Sequence, residues 1–160
     1  MVVGGKKFRE ELKRIAKASN MLEVGFFPVS VYSNGLPVAQ VAEWQEFGTY
    51  NIPVRAFFRT TMRNNELAYG VFLAQAIKKN NYNIDLSFQE LGNKVKYDVQ
   101  DSIEYWQTPP NAPITIEGGW MRNKKSGKAF YIEGKGFDNP LVWTNTLQEA
   151  VRWKYGDESA

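Results

Sequence analysis

Residues 21–27 read MLEVGFF, and their alternation decides the class of fold. Leu22, Val24 and Phe26 fall on one side, with Glu23 and Gly25 on the other, which is the period of a half-buried strand. A matching pattern lies near the other end, where Val151, Trp153 and Tyr155 alternate with Arg152 and Lys154. Between the two, the long periodicities are helical. Two strands that must each bury one apolar face, separated by helices, predict an α+β domain. The expected architecture is a small antiparallel or mixed β-sheet packed against several helices, with a long extended loop near the C-terminus.

Working outward, Phe8, Leu12, Ile15 and Ala16 recur at helical spacing among charged residues. They predict an amphipathic helix over residues 6–18, stopped near Ser19-Asn20. Pro28 ends the first strand or begins a bend, and Val29 to Tyr32 are a candidate extension of the sheet. Asn34-Gly35 signals a turn. Pro37 suits the first turn of a helix. Val38, Val41, Ala42 and Phe47 then make a helix of about ten residues, with Gly48 where a left-handed C-cap belongs. A further helix is expected from Ala56 to Lys79, bending near Asn64-Asn65. Leu67, Val71, Ala74 and Ile77 carry its period.

Asn80 to Asn83 form a connector. Phe88, Leu91, Val95, Val99, Ile103 and Trp106 follow a three-to-four spacing without a slip and predict a helix from Ser87 to Trp106. Gly92 weakens it by about 1 kcal/mol relative to Ala. Pro109, Pro110 and Pro113 exclude regular helix for several residues. A Gly- and Lys-rich stretch runs from Ile114 to Phe137, with Lys125-Ser126-Gly127-Lys128 as the tip of a hairpin or an extended loop. Asn145 and Gln148 have the spacing of a capping box before the last strand.

The chain of 160 residues fits one domain over residues 1–160, with arm segments at 1–20 and 112–138. A chain of this size buries roughly 70% of its unfolded surface and needs no staples. With no Cys and no His, disulfides, thiolate nucleophiles, ordinary zinc sites and imidazole general bases are all excluded. The aromatic share of 14% is high, which serves either a Phe-rich core or interfaces. Formal net charge is +3, unevenly spread. Residues 1–79 hold 11 Lys/Arg against 6 Asp/Glu, and residues 80–160 hold 9 against 11. That asymmetry permits head-to-tail contact between identical subunits. No apolar run approaches the roughly 20 residues of a membrane span, and the first residues lack the long apolar stretch of a signal peptide.

No constellation of side chains reads as a reaction centre, and no cofactor or metal is expected. Trp44 and Phe47 fit either a subunit contact or the core. Arg55 is placed to pair with Glu46 across the intervening loop. Arg122, Lys124, Lys125 and Lys128 lie close to Trp120 and Phe130. Basic residues mixed with aromatics suit phosphate contacts and base stacking, but equally a solvated loop tip or an arm reaching a neighbour. Asp98, Asp101 and Glu104 share a helix face without the further ligands a metal needs, and read as a solvated face or as the partner of a neighbour's basic surface.

Three segments, in order, resemble one family. Met21 to Pro28 reads MLEVGFFP. Pro37 to Arg59 reads PVAQVAEWQEFGTYNIPVRAFFR, with Glu46-Phe47-Gly48-Thr49 and then Pro53 and Arg55 at its centre. Pro109 to Tyr155 contains PPNAPITIE and NPLVWTNTLQEAVRWKY. The pattern is similar to the neck and tail-completion proteins of tailed bacteriophages, including Mu-like virion-morphogenesis proteins, and covers most of residues 21–155. Trp143-Thr144-Asn145 stands where the family usually has Asp-Thr-Gly. Asn145 can adopt the left-handed or capping conformations that Gly supports, whereas Trp143 exchanges a short anionic group for a large ring.

The resemblance implies a structural virion protein that completes the tail and joins it to the head. It implies a homo-oligomeric ring, hexameric by preference, assembled in the bacterial host cytoplasm. Its neighbours would be other neck and tail-tube proteins, with DNA passing transiently through the channel and no membrane involved. The alternative is a DNA-binding accessory protein of phage assembly that uses the basic loop 120–130.

Overall fold

The computed structural model describes residues 5, 6, 9, 10, 13 and 21–156. The helix expected over residues 6–18, and with it the arm at 1–20, falls largely outside the described residues. In chain order the described elements are β1 (Leu22–Phe26), α1 (Val38–Phe47), α2 (Phe57–Lys79), α3 (Ile84–Glu104), α4 (Pro113–Glu117), β2 (Gly118–Arg122), β3 (Ala129–Glu133), α5 (Thr146–Glu149) and β4 (Val151–Tyr155). The fold is α+β, with two small antiparallel sheets of two strands each among the described residues.

The first sheet joins the two ends of the described chain. β1 pairs with β4 in the register Leu22↔Tyr155, Val24↔Trp153 and Phe26↔Val151. Because side chains alternate along a strand, this register puts all six apolar residues on one face. That face meets α3, whose Leu91, Val95, Val99 and Ile103 recur every fourth residue and are all buried. Tyr155 stacks on Phe88 at 5.1 Å, and Phe26 meets Phe57 edge-on at 6.1 Å. Val38 and Ala42 from α1, Leu147 from α5 and Leu141 complete the same core.

Helix α3 starts at Ile84 rather than Ser87, because Asn83 caps it by accepting from the Leu86 amide at 3.2 Å. The helix ends at Glu104, short of Trp106. Helix α2 runs unbroken through Asn64-Asn65. Its inner face is Phe58, Met62, Tyr69, Phe72 and Leu73, whereas Leu67 is 87% exposed and Val71 and Ala74 also face solvent. The apolar period through Leu67 therefore marks the outside of that helix.

Several local expectations give way. Val29 to Tyr32 do not extend the sheet; only Val31 makes an isolated bridge, to Pro37. The proline-rich segment does hold a helix, α4, since Pro113 sits at its first turn where a missing N–H costs nothing. Of the two alternatives for Lys125-Ser126-Gly127-Lys128, a hairpin tip or an extended loop, the structure has the hairpin tip: α4 leads into the β2–β3 hairpin, with residues 123–128 between its strands. Asn145 makes no side-chain cap. It takes the left-handed conformation, φ 58 and ψ −2, and its carbonyl accepts from the Glu149 amide at 2.9 Å.

Candidate interaction site

The loop between α1 and α2 is built from its own side chains. Gly48 has φ 75 and ψ 170, a region nearly closed to other residues. A Cβ there would lie 2.9 Å from Val54 Cγ2 and 3.0 Å from the Ile52 carbonyl. Thr49 Oγ1 accepts from the amides of Asn51 and Ile52 at 3.3 and 3.1 Å, while the Thr49 amide donates to the Ile52 carbonyl at 2.8 Å. This closes a tight turn and leaves Pro53 on the surface.

Glu46 and Arg55 flank this turn but do not pair with each other. Glu46 is buried and reaches the N-terminus of α2, where Oε2 accepts from the Phe58 amide at 2.9 Å and Oε1 from the Arg59 amide at 3.1 Å. Ala56, at the cap position, has no side chain to do this. A carboxylate from the preceding helix therefore satisfies the free amides and the positive end of the helix dipole. Arg59 returns the contact, with Nη2 donating to the Glu46 carbonyl and Nε 3.5 Å from Oε1.

Arg55 points the other way and is only 5% exposed. Its Nη1 donates to Gln45 Oε1 at 2.8 Å, its Nε to the Pro109 carbonyl at 3.0 Å and its Nη2 to the Pro110 carbonyl at 2.9 Å. The planar guanidinium thus ties the α1–α2 loop to the proline-rich segment more than 50 residues away. Lys135 does the same for the next segment, its Nζ donating to the carbonyls of Asn139 and Val142. Asp138 Oδ1 accepts from the Asn111 amide and Nδ2, both at 3.0 Å.

Burial pushes the pKa of both Arg55 and Lys135 below its ordinary value, and the nearby Asp138 carboxylate opposes that shift. For Lys135 the Arg55 charge adds to the lowering.

These groups surround a cleft of 430 Å³. Leu36, Val41 and Leu141 supply apolar lining, Arg55 and Lys135 supply charge, and Trp143 and Asn145 stand at its exposed edge. Pro53, Arg55, Trp143 and Asn145, far apart in the chain, therefore share one site. Trp44 is half-buried and does not line it, and its carbonyl accepts the Gly48 amide at 2.9 Å.

Phe47 is 64% exposed, with the Arg59 guanidinium 5.3 Å above its ring, so it is no part of the core. It borders a second, nearly apolar groove of 330 Å³ between α1 and β1, walled by Phe26, Phe57 and Phe58. The hairpin residues form a separate surface. Trp120, Arg122, Lys124, Lys125 and Lys128 are all exposed, and Trp120 meets Tyr131 edge-on at 5.6 Å.

Of the three acids on α3, Asp98 is taken by Lys94 and lies beside the Tyr69 hydroxyl. Glu104 accepts from Gln148 Nε2 at 3.1 Å. No group of three or more ligating side chains among the described residues is placed to hold a metal. Likewise, no helix there is long and apolar enough to cross a membrane.

Sequence reasoning missed Lys135 and Asp138. Lys135 lies between Gly134 and Gly136 in the Gly- and Lys-rich stretch from Ile114 to Phe137, and nothing in its spacing shows that its ammonium turns inward to two carbonyls. No family model, curated protein or solved structure matches the chain significantly, so the resemblance stands on the quoted segments alone.

Proposed function

We propose that the protein is a structural subunit of a phage neck or tail end, acting by assembly rather than by catalysis. In this reading identical copies close a ring, with six favoured, that completes the tail and meets the head-side and tail-tube proteins. DNA passes through the ring without being gripped. The observation that carries the reading is the stitching around the cleft. The Glu46-Phe47-Gly48-Thr49 turn, the Pro53–Arg55 loop, the PPNAP segment and the NPLVWTN segment are the parts that resemble the family. Arg55, Lys135 and the shared cleft walls make them one unit.

Exposed apolar side chains on several surfaces add support. Phe47, Leu67, Trp120 and Trp143 are all open to solvent in the single chain, and subunit interfaces are where such apolar side chains are covered. Native mass measurement and images of the purified protein test the proposal: closed oligomers support it, and a monomer at every concentration contradicts it.

The hairpin favours a second reading, a DNA-binding accessory protein, because its cations stand beside exposed Trp120 and Phe130. DNA binding that weakens steeply with salt and disappears when Lys124, Lys125 and Lys128 become Ala would support it. Absence of binding at low salt removes it.

A further inference from the structure

We infer that the β2–β3 hairpin of one subunit seats on the outer ridge of α3 in a second copy of the chain. This rests on the assembly reading above and names the joint that assembly would use.

The hairpin pairs Gly118–Arg122 with Ala129–Glu133 and packs within its own chain chiefly on the five-residue helix α4. A two-stranded hairpin is marginal in water without an apolar face to cover. This one leaves Trp120 74% exposed, Tyr131 more than half exposed and Met121 and Phe130 a little under half. Arg122, Lys124, Lys125 and Lys128 fall within seven residues, with no acid between Gly118 and Lys128. The remainder of residues 80–160 holds 5 Lys/Arg against 11 Asp/Glu. The hairpin is thus a basic, aromatic projection from an acidic half of the chain.

The outer ridge of α3 has the complementary character. Asn93, Tyr97, Asp101 and Tyr105 recur every fourth residue and are all exposed, with Glu104 beside them. Tyr97 and Tyr105 bracket Asp101, so carboxylates stand between two open rings. The local cations are largely occupied: Lys94 pairs with Asp98, and Lys96 lies over the Tyr97 ring at 5.7 Å. Asp101 and Glu104 are the ridge's outward charges, neither paired with a cation among the described residues of its own chain, and Glu104 also accepts from Gln148 Nε2. Aromatic contact gives area at small entropy cost, and opposite charge fixes the register. Hairpin and ridge are different surfaces, so each copy uses both once. Such a joint is head-to-tail and closes a ring when its rotation permits.

Charge exchange tests the joint. One variant carries Lys124→Glu, Lys125→Glu and Lys128→Glu, and another carries Asp101→Lys and Glu104→Lys. All five positions are exposed, and unfolding midpoints verify that both variants fold. With the wild type assembled, each variant alone is expected as a monomer. An equal mixture is expected to regain the wild-type mass with both chains in equal amount, because each hairpin then faces a ridge of opposite charge. Because the chain has no Cys, a Lys125→Cys, Asp101→Cys chain adds a second readout. On mild oxidation it should give a ladder of linked subunits, and each single-Cys variant nothing beyond dimers.

Variants that assemble like the wild type, a mixture that stays monomeric, or an assembled double-Cys protein without a ladder would each overturn the joint while leaving the ring reading standing. A hairpin variant that loses DNA binding but keeps its mass overturns it in favour of nucleic acid. A wild type that never assembles removes both.

Discussion

The indole of Trp153 lies directly over Gly92. A Cβ built on that glycine would sit 2.6 Å from Trp153 Cδ2 and 2.9 Å from Cγ. Trp153 Nε1 donates to Asn93 Oδ1 at 2.8 Å, which holds the ring in place. The glycine that looks like a defect in α3 is therefore what lets β4 approach the helix. Gly92→Ala should lose stability by about 1–3 kcal/mol from overpacking, outweighing the roughly 1 kcal/mol that Ala gains in helix propensity. Denaturant unfolding measures this. Adding Trp153→Phe should recover part of the loss, since a smaller ring leaves room, so the two changes should be non-additive.

Glu46 acts on α2 through two amides. Glu46→Ala should cost about 1–3 kcal/mol, because it uncovers the Phe58 and Arg59 amides and strips the helix of its carboxylate cap. Thermal or denaturant unfolding gives the value. An effect within the noise would mean that water replaces the carboxylate at no cost.

Arg55→Lys should behave as a loss rather than a conservative exchange. A single ammonium cannot reproduce the planar fork that reaches Gln45, Pro109 and Pro110. A decrease of about 1–3 kcal/mol is expected from the acceptors left unpaired. Because those acceptors are neutral, the loss should be nearly the same at low and high salt.

Alkaline pH should act through Tyr69. Its pKa is raised, first by burial and then by the nearby Asp98 carboxylate. The folded state therefore holds this proton more tightly than the unfolded one. The contribution is fully present below the unfolded value of 10.0 and is lost as pH rises beyond it. Tyr32 shifts in the same direction through burial. Lys135 works oppositely, since its lowered pKa means that the cost of burying its charge is relieved as pH rises toward the unfolded value of 10.5. Comparison with Tyr69→Phe isolates the first effect. The wild type should begin to lose stability relative to the variant only as pH rises past 10.0, read from denaturant midpoints at each pH.

Much of the fold is legible in local patterns, because the groups concerned act within one element or one face. The alternation in residues 21–27 and 151–155 and the run from Phe88 to Ile103 are the core faces of β1, β4 and α3. The loop geometry is harder. Gly48 is readable as a helix stop, yet nothing local shows that Glu46 turns to α2 while Arg55 turns to Pro109 and Pro110. Those partners are chosen by tertiary placement, across 12 and 13 residues for Glu46 and more than 50 for Arg55. The same holds for α2, whose length is readable from its period. Which side faces inward is decided by where α3 lies, and Leu67 ends outside. At Asn145, where the sequence allows either a left-handed or a capping residue, the backbone takes the left-handed conformation and no side-chain cap forms.

The central claim is that the chain works by fitting against copies of itself. Native mass measurement of the purified full chain, across a range of concentrations at moderate salt, tests this most directly. The account predicts one closed oligomer of defined stoichiometry, with six subunits favoured. A single monomer mass at every concentration would contradict it.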